Sequence, residues 1–144
     1  MSLYLHGSRS PFLSEGMNLL TSLAESNPDT MLGARLASRI APSIGEPFFR
    51  IDKNKLKMTH DAEPERALKL TDPAVALYSG LSGSEAKALN ISYSKLVQGR
   101  AKLLVEVGKK AKAKKELSAL RQDLAGRDVK EPVLKDLKAF EDAL

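Results

Sequence analysis

Val107-Gly108-Lys109-Lys110-Ala111-Lys112-Ala113-Lys114-Lys115 decides how this chain folds, because a helix either runs through it or turns back in it. Alanine, lysine and glutamate dominate the flanks, and their helix propensity favours continuity. Gly108 favours a stop. On a wheel of about 100° per residue with Lys109 at zero, the five lysines fall at about 0°, 100°, 300°, 140° and 240°. They ring the helix instead of striping it. By that geometry no face of this turn and a half enters a core, since burying an unpaired lysine is strongly unfavourable.

The apolar stripes on either side fall out of register. Leu89, Leu96, Leu103 and Val107 lie near about 140° on the same wheel, whereas Leu117, Leu120 and Leu124 lie between about 20° and 80°. That rotation of roughly 100° far exceeds the roughly 20° per heptad by which a straight helix drifts. Two arrangements satisfy it. One is a continuous helix whose halves pack on different partners. The other is a helical hairpin that breaks at Gly108 and carries the lysines at its tip.

Charge points to the same region. The formal net charge is +5, and residues 1–72 are balanced, with 9 basic and 9 acidic groups. Residues 73–144 carry 14 basic and 9 acidic groups, and between Lys95 and Lys115 eight bases face one acid, Glu106. Such a local field favours an anionic partner. The candidate anion or nucleic-acid contacts are Lys95, Gln98, Arg100, Lys102, Lys109, Lys110, Lys112, Lys114 and Lys115.

The 144 residues suffice for one domain with a core, and a hydrophobic fraction of 42% argues against global disorder. With 5% aromatics and no tryptophan, that core is aliphatic, which suits helix packing better than a sandwich. The absence of cysteine excludes disulfides and thiolate metal sites. No apolar run reaches the roughly 20 residues of a membrane span, so no membrane insertion is expected. The start, Met1-Ser2-Leu3-Tyr4-Leu5-His6-Gly7-Ser8-Arg9, has no apolar core of signal-peptide length. The expected location is cytoplasmic or within a macromolecular assembly. The Ser-rich start also fits an export address read by a dedicated machine.

Punctuation then divides the chain. Ser10-Pro11 opens a helix in which Leu13, Met17, Leu20, Leu23 and Ala24 recur at helical spacing. Asn27-Pro28-Asp29 ends it, and Asp29 or Thr30 caps a second helix with Leu32, Leu36 and Ile40 on one face, stopping before Pro42. Alternation over 48–51 and 56–59, around the polar turn at 52–55, predicts a short β-hairpin over Phe48–Thr59. His60 to Glu65 reads as a loop, and Asp72-Pro73 as the opening of a short helix to Tyr78. Ser82 and Glu85 have capping-box spacing at the head of the long helical region. Gly126 marks its stop, and a last helix from about Pro132 to Leu144 places Val133, Leu137, Phe140 and Leu144 on one face. The fold class is mainly α, with four to six helices and that one hairpin. Residues 1–80 form an N-terminal helical region and 81–144 the basic helix or hairpin plus a terminal amphipathic helix, as one domain or two.

Within the second region, Ala86, Leu89, Asn90, Ile91 and Leu96 fall at the small, apolar and left-handed turn positions of a DNA-binding pattern. Residues 84–98 thereby resemble the helix-turn-helix motif. Glu85 and Gly99 depart from it, standing where the motif has apolar residues. The resemblance implies a turn at Asn90 and a second helix presenting Tyr93, Ser94, Lys95 and Gln98 to DNA.

Enzyme chemistry finds no support. His6 and His60 have no metal-ligand spacing with carboxylates, and the His60-Asp61 loop with Glu63 and Glu65 reads as solvated polar residues. Gly80 to Ser84 lacks the Lys-Ser/Thr of a phosphate-binding loop. No catalytic residue, cofactor or metal is expected. Two functions follow as expectations. The first is a non-enzymatic structural or assembly subunit, docking through helical surfaces onto a protein partner or onto itself. The second is a nucleic-acid-binding accessory protein using the Lys95–Lys115 region.

Overall fold

The computed structural model describes the backbone of residues 10–46, 48–60 and 62–144, and the side chains of 15–46, 53–56 and 62–144. Among these, six helices and one hairpin follow in order: α1 (Ser10–Ser26), α2 (Met31–Ile44), β1 (Phe48–Asp52), β2 (Lys55–His60), α3 (Pro64–Ser79), α4 (Gly83–Glu106), α5 (Lys110–Ala125) and α6 (Glu131–Ala143). The mainly helical fold class is the one expected. The Ser-rich start and His6 lie outside the described residues.

Gly108 settles the choice between projecting helix and hairpin. It takes φ +81°, a left-handed conformation that glycine adopts without steric cost. The N–H of Gly108 donates to Val105 O at 3.0 Å and that of Lys109 to Leu104 O at 2.7 Å, a Schellman ending. The chain therefore reverses, and α5 packs back on α4. This reversal also absorbs the mismatch of the stripes, because each half meets the core from its own direction. One expectation fails here. Ala113, between the lysines, is fully buried and begins a stripe with Leu117, Leu120 and Leu124. A methyl-sized side chain lets the helix approach closely while its charged neighbours stay outside.

Among the described residues the core is continuous from α1 to α6 and is built of alanine, leucine, isoleucine, valine and two tyrosines. Each helix packs chiefly on those before and after it in the chain, and α2 also touches α4. Small residues set the closeness of α2, which buries Gly33, Ala34, Ala37 and Ala41 along with Ile40 and Ile44. Its first turn is capped by Thr30, whose Oγ1 accepts from Gly33 N at 3.0 Å and donates to Asn27 O at 2.9 Å. By contrast Ser82, at the head of α4, has the capping-box spacing but makes no side-chain cap.

Two prolines behave differently from expectation. Helix α2 runs through Pro42 to Ile44, and α3 runs from Pro64 through Pro73. An internal proline costs about 3 kcal/mol in an isolated helix. In α3 the residues before Pro73 (Ala67, Leu68, Leu70, Thr71) and after it (Ala74, Tyr78) are all buried, so packing on both sides outweighs the lost bond. The hairpin forms as expected, with Ile51 opposite Leu56 and Asp52 opposite Lys55. Its turn needs positive φ at both central residues, and Lys53 (51°) and Asn54 (62°) supply it without glycine. The side chains of Phe48 and Phe49 lie outside those described.

A left-handed residue also follows α5, but it is not the glycine that the sequence suggested. Gly126 stays right-handed at φ −70°. Val129 N–H bonds Leu124 O at 3.2 Å, and the positive φ falls on Asp128, at 58°. Asp128→Gly should therefore raise stability by about 0.5–1 kcal/mol, read as a higher urea midpoint at unchanged slope.

Candidate functional site

The lysines crown the hairpin tip. Lys109, Lys110, Lys112 and Lys115 are exposed and Lys114 is half-buried. Among the described residues none of the five makes an ion pair or a side-chain hydrogen bond. They also occupy the first turns of α5, which has no side-chain cap and no acidic residue in its first turn. Cations at the positive end of a helix dipole are unfavourable by about 0.3–1 kcal/mol each when exposed. The tip is thus a site of uncompensated positive charge with free backbone N–H groups, chemically suited to anions.

The remaining candidates divide. Lys95 is exposed on α4, and Gln98 donates from Nε2 to Ser94 Oγ at 2.9 Å. Lys102 lies 5.8 Å from the centre of the Phe140 ring, a cation–π contact tying α4 to α6. Arg100 leaves the surface altogether, with 6% exposure. Its Nε donates to Glu116 Oε1 at 2.7 Å, and Nη1 donates to Leu68 O at 2.8 Å and Thr71 Oγ1 at 2.9 Å. The same nitrogen pairs with Asp72. Burial pulls the guanidinium pKa down, and Glu116 and Asp72 more than reverse this. Arg100 clasps α3, α4 and α5 together and cannot meet an external anion.

The helix-turn-helix resemblance does not survive. Helix α4 is unbroken from Gly83 to Glu106, and Asn90 takes no positive φ. The Asn90 side chain instead accepts from Arg127 Nη1 at 3.2 Å. Tyr93, expected to face bases, is 3% exposed and donates its hydroxyl proton to Asp123 Oδ2 at 2.6 Å. Burial first, then Asp123, raises its pKa well above the usual phenol range. Ile91, expected in a core, is 72% exposed. One continuous helix puts positions 86, 93 and 96 inward and 91 outward, and helical periodicity alone carries that signal.

Two features escape sequence reasoning. Arg127 donates from Nη2 to Tyr78 O (2.7 Å), Ser79 O (3.2 Å) and Leu81 O (3.3 Å), capping the end of α3 from a distant loop. Its guanidinium also lies 5.1 Å from the centre of the Tyr93 ring. The second feature is α1, which is apolar on two faces. Met17, Thr21 and Ala24 turn inward, while Leu19 (71% exposed), Leu23 (42%) and Leu20 (38%) turn outward. The sequence contains that second stripe, but a single-face reading merges Leu20 and Leu23 with the inner one.

At the opposite end, Glu141 of α6 binds Arg121 Nη2 of α5 at 2.9 Å. Burial pushes the Glu141 carboxyl up, but Arg121 and Lys138 together carry it below its ordinary value of 4.5. A carboxyl depressed in the folded state adds stability above its unfolded pKa, and that stability is lost as pH falls through the folded value. Below about pH 4.5 the wild type should lose stability more steeply than Glu141→Gln, measured by urea denaturation across pH.

Among the described residues no group of three or more His, Asp or Glu could hold a metal ion, and no helix is long and apolar enough to cross a membrane. No family model, curated protein or solved structure matches the chain.

Proposed function

We propose that the protein is a non-enzymatic assembly subunit that docks into a larger complex through its helical surfaces, with the outer face of α1 as the principal contact. The observation that carries this is the leucine stripe Leu19, Leu20 and Leu23, turned away from the core. A helix apolar on both faces is normally covered on both. Covering a fully exposed leucine is worth about 1.5–3 kcal/mol, and Leu19, the most exposed of the three, has the most to gain. The described part of α1 carries Glu15 and Glu25 and no basic residue, which disfavours an anionic membrane surface as the cover and favours protein.

A photo-crosslinking residue at position 19, expressed in cells, tests this. A protein adduct is expected, and the adduct should disappear when Leu20 and Leu23 are also replaced by Glu. Absence of any protein adduct at 19, 20 and 23 would remove the reading.

The lysine tip supports a second reading, nucleic-acid contact. Its uncompensated charge at a helix start gives a phosphate backbone a ready partner. With three to five phosphates neutralised, the slope of log affinity against log salt should be roughly −3 to −4.5 on duplex DNA. Replacing Lys112, Lys114 and Lys115 by Gln should flatten it by roughly 2.7 without lowering thermal stability. A slope near zero for the wild type sinks this reading.

A further inference from the structure

Side chains that read bases are missing from the surface around the lysine tip. Arginine, asparagine and glutamine recognise base edges, and aromatic rings stack on unpaired bases. Between Gly83 and Gly126 the chain has two arginines, and both serve the fold. Arg100 is buried on Glu116, Leu68 O and Thr71, and Arg121 holds Glu141. Asn90 accepts from Arg127, and Gln98 donates to Ser94. The single aromatic of this stretch, Tyr93, is buried and bound to Asp123. Phe140 of α6 is half-buried beneath Lys102. Gln122 is exposed, but it lies at the far end of α5 from the lysines.

Acids are withdrawn in the same way. Between Lys95 and Gly126 there are three, Glu106, Glu116 and Asp123. Arg100 takes Glu116 and Tyr93 takes Asp123, so only Glu106 remains to offset the tip. What stands outside is lysine, a point charge on a flexible stem that meets phosphate from many directions and selects no base. The density of these charges bears on the partner. Lys109 to Lys115 rise by about 9 Å along the helix, at about 1.5 Å per residue. A duplex carries a charge every 1.7 Å or so of its axis, hence about five over that length, whereas one strand offers about two or three. A folded acidic surface reaches such a density only against its own self-repulsion.

Resting on the nucleic-acid reading above, we infer that the tip binds the phosphate backbone of double-stranded nucleic acid without regard to base sequence, and prefers duplex to single strand. Arginines and rings that would confer sequence or single-strand preference are spent inside the fold, and the lysines alone are presented.

Fluorescence anisotropy with short labelled duplexes of unrelated sequence, with their separated strands and with polyglutamate tests this. The duplexes should agree within about five-fold, the least discrimination that one base-reading contact provides. Each should bind more tightly than its own single strands, with a salt slope of roughly −0.9 per phosphate against roughly −0.7. Lys112→Gln with Lys115→Gln should weaken every duplex by the same factor and flatten the slope by roughly 1.8. Gln122→Ala should change neither. All three positions are exposed, so the variants should keep the wild-type helical signal.

Two outcomes overturn the inference and leave the nucleic-acid reading standing: duplexes that differ by more than about five-fold, or a single strand bound as tightly as its duplex. An unchanged slope in the lysine variant moves the contact off the tip and removes both. If no nucleic acid binds with a measurable salt slope, both fall as well, and bound polyglutamate in that case gives the tip to an acidic protein.

Discussion

Arg100→Ala is expected to lower stability by about 3–5 kcal/mol, the penalty for removing one partner of a buried ion pair. The replacement leaves Glu116, 21% exposed, without its cation, and strips donors from Leu68 O and Thr71 Oγ1. Urea denaturation followed by circular dichroism reads this as a lower midpoint with little change in slope. Arg100→Lys should recover only part of the loss, because an ammonium cannot reproduce the bidentate fork on Glu116 together with the contacts to α3. Joint replacement of Arg100 by Met and Glu116 by Leu should be much milder than either charge left alone. If Arg100→Ala were within about 1 kcal/mol of wild type, the clasp would not be structural, and Arg100 would return to the list of surface anion contacts.

Gly33→Ala carries the second large effect. A Cβ at this position would lie 1.8 Å from the carbonyl oxygen of Asn27 and 2.8 Å from its carbon. Both are backbone atoms, so no rotamer change relieves the overlap. The corner between α1 and α2 must open, at a cost at or above the about 1–3 kcal/mol typical of an overpacked core. The same opening would disturb Thr30, which holds both Gly33 N and Asn27 O. Gly16→Ala is the control, since nothing lies within 4 Å of a Cβ there. That helix position should tolerate alanine or gain slightly from it.

The contrast between these glycines shows what was legible in the sequence. Periodicity and punctuation located the helices and the hairpin, because each such element is specified locally. Gly108 was readable as a break only alongside the displaced stripes. The close approach at Gly33, the clasp at Arg100 and the cap by Arg127 depend on residues far apart in the chain. No spacing announces that Arg127 will meet Tyr78 O, or that Arg100 will leave a basic run to bind Glu116. Proline misled for a related reason: at Pro73 long-range burial outweighs a local rule. At the candidate site, the exposed lysines followed from charge pattern alone. The outer leucines and the exposure of Ile91 required knowing which side of each helix was already occupied.

The order of packing has a consequence for motion. Because each helix rests mainly on its chain neighbours, contact order is low, and folding should be fast and local. The two ends are then the least insured parts. Helix α1 is held by α2, by limited contact with β2 and by the Glu25–Arg66 pair, so its amides should exchange with solvent ahead of those in α3, α4 and α5. Whatever covers the outer leucines would also pin this loose end. Occupancy of one face would then be legible as slowed hydrogen exchange along the whole of α1, including the side that no partner touches.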